Sequence, residues 1–171
     1  INIKNLKYHL SMDKSKWDAL SFNRLGLTIE NYDMWALQFE PYIHHCHSYG
    51  GTLAVVELMR REFNQKIKKL KHGELMECYS AFNGFAIYRT EKFKNCKYDG
   101  ETQCHFPKER INKLLKYVKE KLNNKKLKIN FDYVDDTHGG GKQNCEHIGF
   151  HLDGIRKNNA KIRISGERIF G

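Results

Sequence analysis

The stretch "TLAVVELMRREFNQKIKKLKHG", residues 52–73, constrains the fold of this chain more than any other. Its apolar residues Leu53, Val56, Met59, Phe63, Ile67 and Leu70 recur at helical spacing and so line one face of an α-helix. Gly73 stands where a C-terminal cap belongs. A helix with one apolar face must be covered, and its neighbours in sequence supply the cover. "KWDALSFN" (16–23) reads as a buried strand with a polar end. "MECYSAFNGFAIYRT" (76–90) reads as one or two strands rich in aromatic and small residues.

The rest of the chain continues this alternation. Pro107 opens a second helix with a core stripe of Ile111, Leu114, Leu115, Val118 and Leu122. "LKINFDYV" is expected as a strand, "DDTHGGGKQN" as a flexible loop, "CEHIGFHLDGIRKN" as a short helix and "AKIRIS" as a closing strand. Residues 26–39 read as a loop entering a short amphipathic element, and "KFKNCKYDGETQCHF" as a loop. Strands alternating with helices predict an α/β domain, and 171 residues suit a single one spanning 1–171. The opening "INIKNLKYHL" has a strand-like pattern with no apolar signal core and no initiator Met, so the chain is expected to be cut from something longer.

The formal charge is +10 and is concentrated: residues 108–128 hold nine Lys/Arg against Glu109 and Glu120. Such a surplus suits an anionic partner, whether nucleic acid, a membrane surface or a phosphorylated small molecule; it also suits a plain solvated helix face. The five cysteines (46, 78, 96, 104 and 145) are odd in number and scattered, which points to a reducing compartment. No apolar run approaches the roughly 18 residues that would span a bilayer. The expected location is the cytoplasm or the cytoplasmic face of a membrane.

Candidate chemistry gathers in "QNCEHIGFH", residues 143–151. Cys145, His147 and His151 are metal-ligand types, and His147 and His151 have the i, i+4 spacing that puts two imidazoles on one helix face. No matching ligand pair stands elsewhere, as a structural zinc site would need. Glu146 falls in the first helical turn after a triple-glycine loop, where the helix dipole favours a carboxylate. It suits either a general base or a group satisfying backbone N–H groups. "YDMWALQF" sets Asp33 beside Tyr32 and Trp35, a mixture suited to sugars, and Trp17-Asp18 repeats the pairing; either Trp would equally serve as core. Gly84 lies among aromatics in "FNGFAIYR", where a glycine marks a bulge or the close approach of a ligand. "GGGKQN" lacks the P-loop pattern.

Taken in order, "WDALSFNR", "YDMWALQF", "FNGFAIYRT…FKNCKYDG" and "NCEHIGFHLDGIRKNNAKIRIS" resemble the C-terminal half of GT-A-type glycosyltransferases of microbes and large DNA viruses. The resemblance spans roughly residues 15 to 167. It implies the C-terminal portion of a GT-A fold, a mixed sheet flanked by helices. The implied activity moves a sugar from a nucleotide-sugar donor to a hydroxyl of a glycan, protein or lipid acceptor. It places Glu146 as the acidic residue that activates the acceptor, and His147 or His151 near the donor diphosphate or its Mn2+ or Mg2+. It places Asn83, Gly84 and Phe85 beneath the donor sugar, with Asp18, Asn23, Tyr32, Asp33 and Trp35 shaping the pocket. The Asp-x-Asp motif that holds the metal in such enzymes is missing from the sequence, so the nucleotide-binding half is expected elsewhere. Two other classes remain on residue types alone: a basic nucleic-acid-binding module using 108–128, and a zinc-stabilised interaction domain. Nucleic acid is not the expected partner.

Overall fold

The structure, a computed structural model, describes residues 1–23, 33–44, 49, 52–98, 100, 107–129 and 145–169. Along the chain run α1 (Ile3–Ser11), β1 (Ala19–Asn23), α2 (Leu53–Lys69), β2 (Leu75–Cys78) and β3 (Ala86–Tyr88). There follow α3 (Thr90–Phe93), α4 (Lys108–Lys121), α5 (Glu146–Asn158) and β4 (Ile162–Arg168). The strands form one mixed sheet of order β2-β4-β1-β3. β1 and β4 are parallel, with Ala19 opposite Ile162 and Ser21 opposite Ile164. β3 and β2 close the edges antiparallel. The protein is thus an α/β unit with an open mixed sheet flanked by helices.

Alternation along the strands sorts the core into two layers. Ala19, Ile162, Ile164, Met76 and Cys78 pack with Val55, Leu58, Met59, Phe63 and Ile67 of α2, and with Leu114 and Val118 of α4. Leu20 and Phe22 point the other way and bury Trp17 and Ile169 with them. α1 lies near this second layer: His9 is fully buried, with its ring 5.1 Å from that of Phe22 and Nε2 hydrogen-bonded to Ser165 Oγ at 2.9 Å.

α4 is held to the body by its polar inner edge as well as by Leu114 and Val118. Tyr117 and Tyr42 both donate to the Glu62 carboxylate, at 2.8 and 2.9 Å. Arg110 donates to Glu40 at 2.7 Å, and its guanidinium lies over the Tyr79 ring.

Several sequence expectations are corrected here. The N-terminal segment is a helix, not a strand: Asn2 Oδ1 caps it by accepting from Asn5 N at 3.1 Å. Leu53 begins α2 but is 69% exposed, because the buried face runs through Val55 and Leu58 instead. α2 ends at Lys69, and Gly73 serves the next turn, with φ +78° and a side chain of Tyr8 where a Cβ would go. Residues 33–39, read as entering a short amphipathic element, carry bends and isolated bridges instead of a regular element. Asp33 Oδ1 accepts from Trp35 N and Ala36 N at 3.0 and 3.3 Å, and the chain then runs extended, Gln38 bridging Ser80. Part of the segment read as a loop after residue 90 is α3. Residues 127–129 carry no regular structure, and the remainder of "LKINFDYV" and the triple-glycine loop lie outside the described residues.

α5 packs on α3 through Gly154, where a Cβ would lie 2.5 Å from Phe93 Cε1. Phe93 is 4% exposed and wedged beside Tyr88 and Phe150, so its ring has little room to yield. Gly154→Ala should therefore destabilise the protein by about 1–3 kcal/mol despite the better helix propensity of Ala, as read from urea unfolding.

Candidate functional site

Two pieces of backbone geometry converge at one end of the sheet. β3 runs antiparallel to β1 with Ala86 opposite Ser21, so Asn83 and Gly84 lie beyond the carboxyl end of β1. α5 precedes β4, the parallel partner of β1; its C-terminus lies near the start of these strands, and its thirteen residues carry its N-terminus about 20 Å toward their carboxyl ends. The carboxyl edge of parallel strands is where α/β sheets gather their ligands.

Cys145 occupies the N-cap of α5 without a capping side chain, and Glu146 is the acidic residue of the first turn. Cys145, Ile148 and Leu152 bury against Ala36, which fastens the segment beginning at Asp33 to α5. Burial pushes the Cys145 thiol up to about 12, so it is no nucleophile at neutral pH. Glu146 is half-buried. His147, the next residue, stacks on Phe82 with ring centroids 3.8 Å apart and planes at 16°. The Tyr98 hydroxyl lies 2.8 Å from His147 Nε2, near enough to Glu146 to feel its charge. Partial desolvation, then the Glu146 charge, pushes the Tyr98 phenol up to about 12. The segment carrying Tyr98 is pinned to α5, since Lys97 N donates to Asp153 Oδ2 at 3.1 Å.

Asp33 closes the other side. Its N–H donates to Asn83 Oδ1 at 3.2 Å, while the Asn83 Nδ2 is buried with no partner among the described residues. The charges of Glu146 and Asp33 favour protonation of His147, but desolvation outweighs them and holds it below the ordinary imidazole range. His147 is therefore neutral at pH 7. Trp35 is 41% exposed and Tyr98 53%, so aromatic rings accompany the carboxylates at the surface.

The sequence-predicted residues thus divide. Asp33, Asn83, Glu146 and His147 come together, with Trp35 joined to Asp33 through its backbone. Asp18 does not join them: it sits at the opposite end of β1, 6% exposed, with Oδ2 accepting from Lys161 N at 2.8 Å. Its neighbour Trp17 is 2% exposed, under the Arg89 guanidinium. Phe85 packs toward Phe22 in the second core layer, 5.9 Å between rings, and is not part of the cluster. Gly84 has φ +79° in open space, so it serves the turn before β3. Asn23 ends β1 opposite Arg168; its side chain and Tyr32 lie outside the described residues. Phe82 and Tyr98 were not singled out from sequence, although both fall inside quoted motifs, "FNGF" and "FKNCKYDG".

His151 does not fit a metal. It is fully buried, with Nδ1 hydrogen-bonded to Ser80 Oγ at 2.9 Å and Nε2 to the Tyr88 hydroxyl at 3.2 Å, so both ring nitrogens are taken. Among the described residues no group of three or more His, Cys, Asp or Glu could hold a metal ion. No described helix is long and apolar enough to cross a membrane. No known protein family, curated protein or solved structure matches the chain.

Burial pulls the His151 pKa down to about 3 and that of His44 to about 4. Both folded values lie below the ordinary value of about 6.5, so the unfolded chain takes up protons first. Their contribution to stability is complete above pH ~6.5 and is lost as the pH falls, by on the order of 1 kcal/mol per pH unit for each group. Urea unfolding from pH 7 to 4 should show this decline, and His151→Gln should make it shallower.

Proposed function

We propose that this chain is the acceptor-side, catalytic part of a GT-A-type glycosyltransferase that moves a sugar from a nucleotide-sugar donor to a hydroxyl of a glycan, protein or lipid. The observation that carries this reading is the half-buried Glu146 carboxylate at the first turn of α5, whose charge, with that of Asp33, acts on His147 and, alone, on Tyr98. Carboxylates and the spare Asn83 amide N–H suit sugar hydroxyls, and the exposed faces of Trp35 and Tyr98 suit the C–H side of a pyranose. The order of the sequence motifs supports the same class.

In this reading the acceptor hydroxyl enters beside Tyr98 and donates to Glu146. Glu146 takes its proton while the acceptor oxygen attacks the anomeric carbon, and the electron pair of the breaking bond leaves with the nucleotide diphosphate. A proximal base of this kind gives inversion at the anomeric carbon. His147 and Tyr98, hydrogen-bonded to each other, border the carboxylate. A Mn2+ or Mg2+ ion, which such a donor needs, would take at least part of its ligand set from outside the described residues, and His151 has no part in holding it.

The test uses the full gene product with a panel of nucleotide sugars and follows release of nucleotide diphosphate. Glu146→Gln should lower turnover by about 10^2-fold or more while donor binding persists; near-normal turnover would remove Glu146 as the base. Trp35→Ala should weaken sugar binding with little change in Tm, since the ring is 41% exposed. A large loss of Tm would assign Trp35 to the core instead.

A further inference from the structure

A large excess of positive charge lies outside the Glu146 cluster, on α4 and the turn after it. Residues 108–128 hold eight lysines and Arg110 against Glu109 and Glu120. Arg110 is committed inward to Glu40 and Tyr79. Leu114 and Val118 are buried, and Tyr117 is tied to Glu62, so the rotation of α4 is fixed and its outer face cannot roll toward the core.

Lys108, Asn112, Lys116, Lys119 and Asn123 follow one another at intervals of three or four residues, which makes a single stripe opposite Leu114 and Val118. Lys108, Lys116 and Lys125 are exposed and Lys119 is half-buried. None of these four makes an ion pair among the described residues. An open groove of ≈ 680 Å³ runs here, bordered by Asn112, Lys116, Lys119, Asn123 and Lys125 together with Leu115 and one carboxylate, Glu120. Lysines from the helix and from the turn beyond it thus border one shallow concavity.

We infer that this face is a docking surface for an anionic membrane leaflet, with lipid phosphate or carboxylate headgroups against the lysine stripe. Charge complementarity carries the inference, and the kind of charge selects the partner. Every cation of the stripe is a lysine, a compact point charge suited to a diffuse anionic plane rather than to the bidentate geometry that arginine gives. Single-stranded nucleic acid is held by aromatic platforms beside the basic groups. None of the exposed large apolar side chains among the described residues falls between 107 and 129. The inference does not depend on the transferase reading, because no residue of the Glu146 cluster enters it.

The test is co-sedimentation of the protein with vesicles of phosphatidylcholine alone or mixed with phosphatidylserine. Binding should require phosphatidylserine and fall steeply as salt is raised. Each surface lysine contributes about fivefold, so Lys116→Ala/Lys119→Ala/Lys125→Ala together should lose about 10^2-fold in partitioning. The triple variant should keep the wild-type circular dichroism spectrum and Tm, because none of the three side chains is in the core. Absence of vesicle binding, equal binding to neutral vesicles, or full binding by the triple variant would each overturn the inference. So would a short DNA duplex or RNA strand that binds more tightly than the vesicles at physiological salt and loses affinity in the same variant.

Discussion

His151 lies in the second turn of α5, out of water, joined to Ser80 on one side and Tyr88 on the other. One ring nitrogen donates and the other accepts, so the neutral imidazole satisfies both partners at once. Each bond contributes about 1 kcal/mol, and either partner left alone in that interior would cost more. The consequence is rotational. With His151 turned inward, Glu146 and His147 emerge at the first turn on the side that meets Phe82 and Tyr98. The rings of Tyr88, Phe93 and Phe150 around His151 reinforce the same orientation. A charged His151 would break this arrangement, which makes neutrality at that position a condition of the whole cluster.

Those elements of the fold whose residues declare a period were legible in the sequence. α2, α4, α5, β1 and β4 follow from apolar spacing. α1 was not legible, because its one buried residue is His9; the alternation of Ile1 and Ile3 imitates a strand where both side chains face solvent. The segment after Asp33, read only as a short amphipathic element, owes its form to a different cause. The Asp33 carboxylate binds the N–H groups of Trp35 and Ala36, and the extended backbone that follows pairs with Tyr79 and Ser80.

Legibility of the candidate cluster follows the same division between local and distant causes. Glu146 could be placed from its neighbours, since a helix start is a local event. The role of His151 could not, because its partners stand 71 and 63 residues away in the chain. The i, i+4 spacing with His147 is real, yet the two imidazoles face different surroundings: one meets a phenol at the surface, the other a serine in the interior. Trp17-Asp18 and Asp33 with Trp35 look alike as text. Burial separates them, with Trp17 at 2% and Trp35 at 41% exposure. Asp18 then spends its carboxylate on the Lys161 backbone, stitching β1 to β4.

The clamp that Tyr42 and Tyr117 make on Glu62 has a consequence for how this molecule could diverge. It fixes α4 entirely from the inner side, so folding is indifferent to the sign of the charges on the outer one. Related chains could exchange those lysines for neutral or acidic residues and keep the same architecture, changing only what the surface attracts or repels. Electrostatic character here is therefore a separable trait, free to drift or to be selected without disturbing the interior.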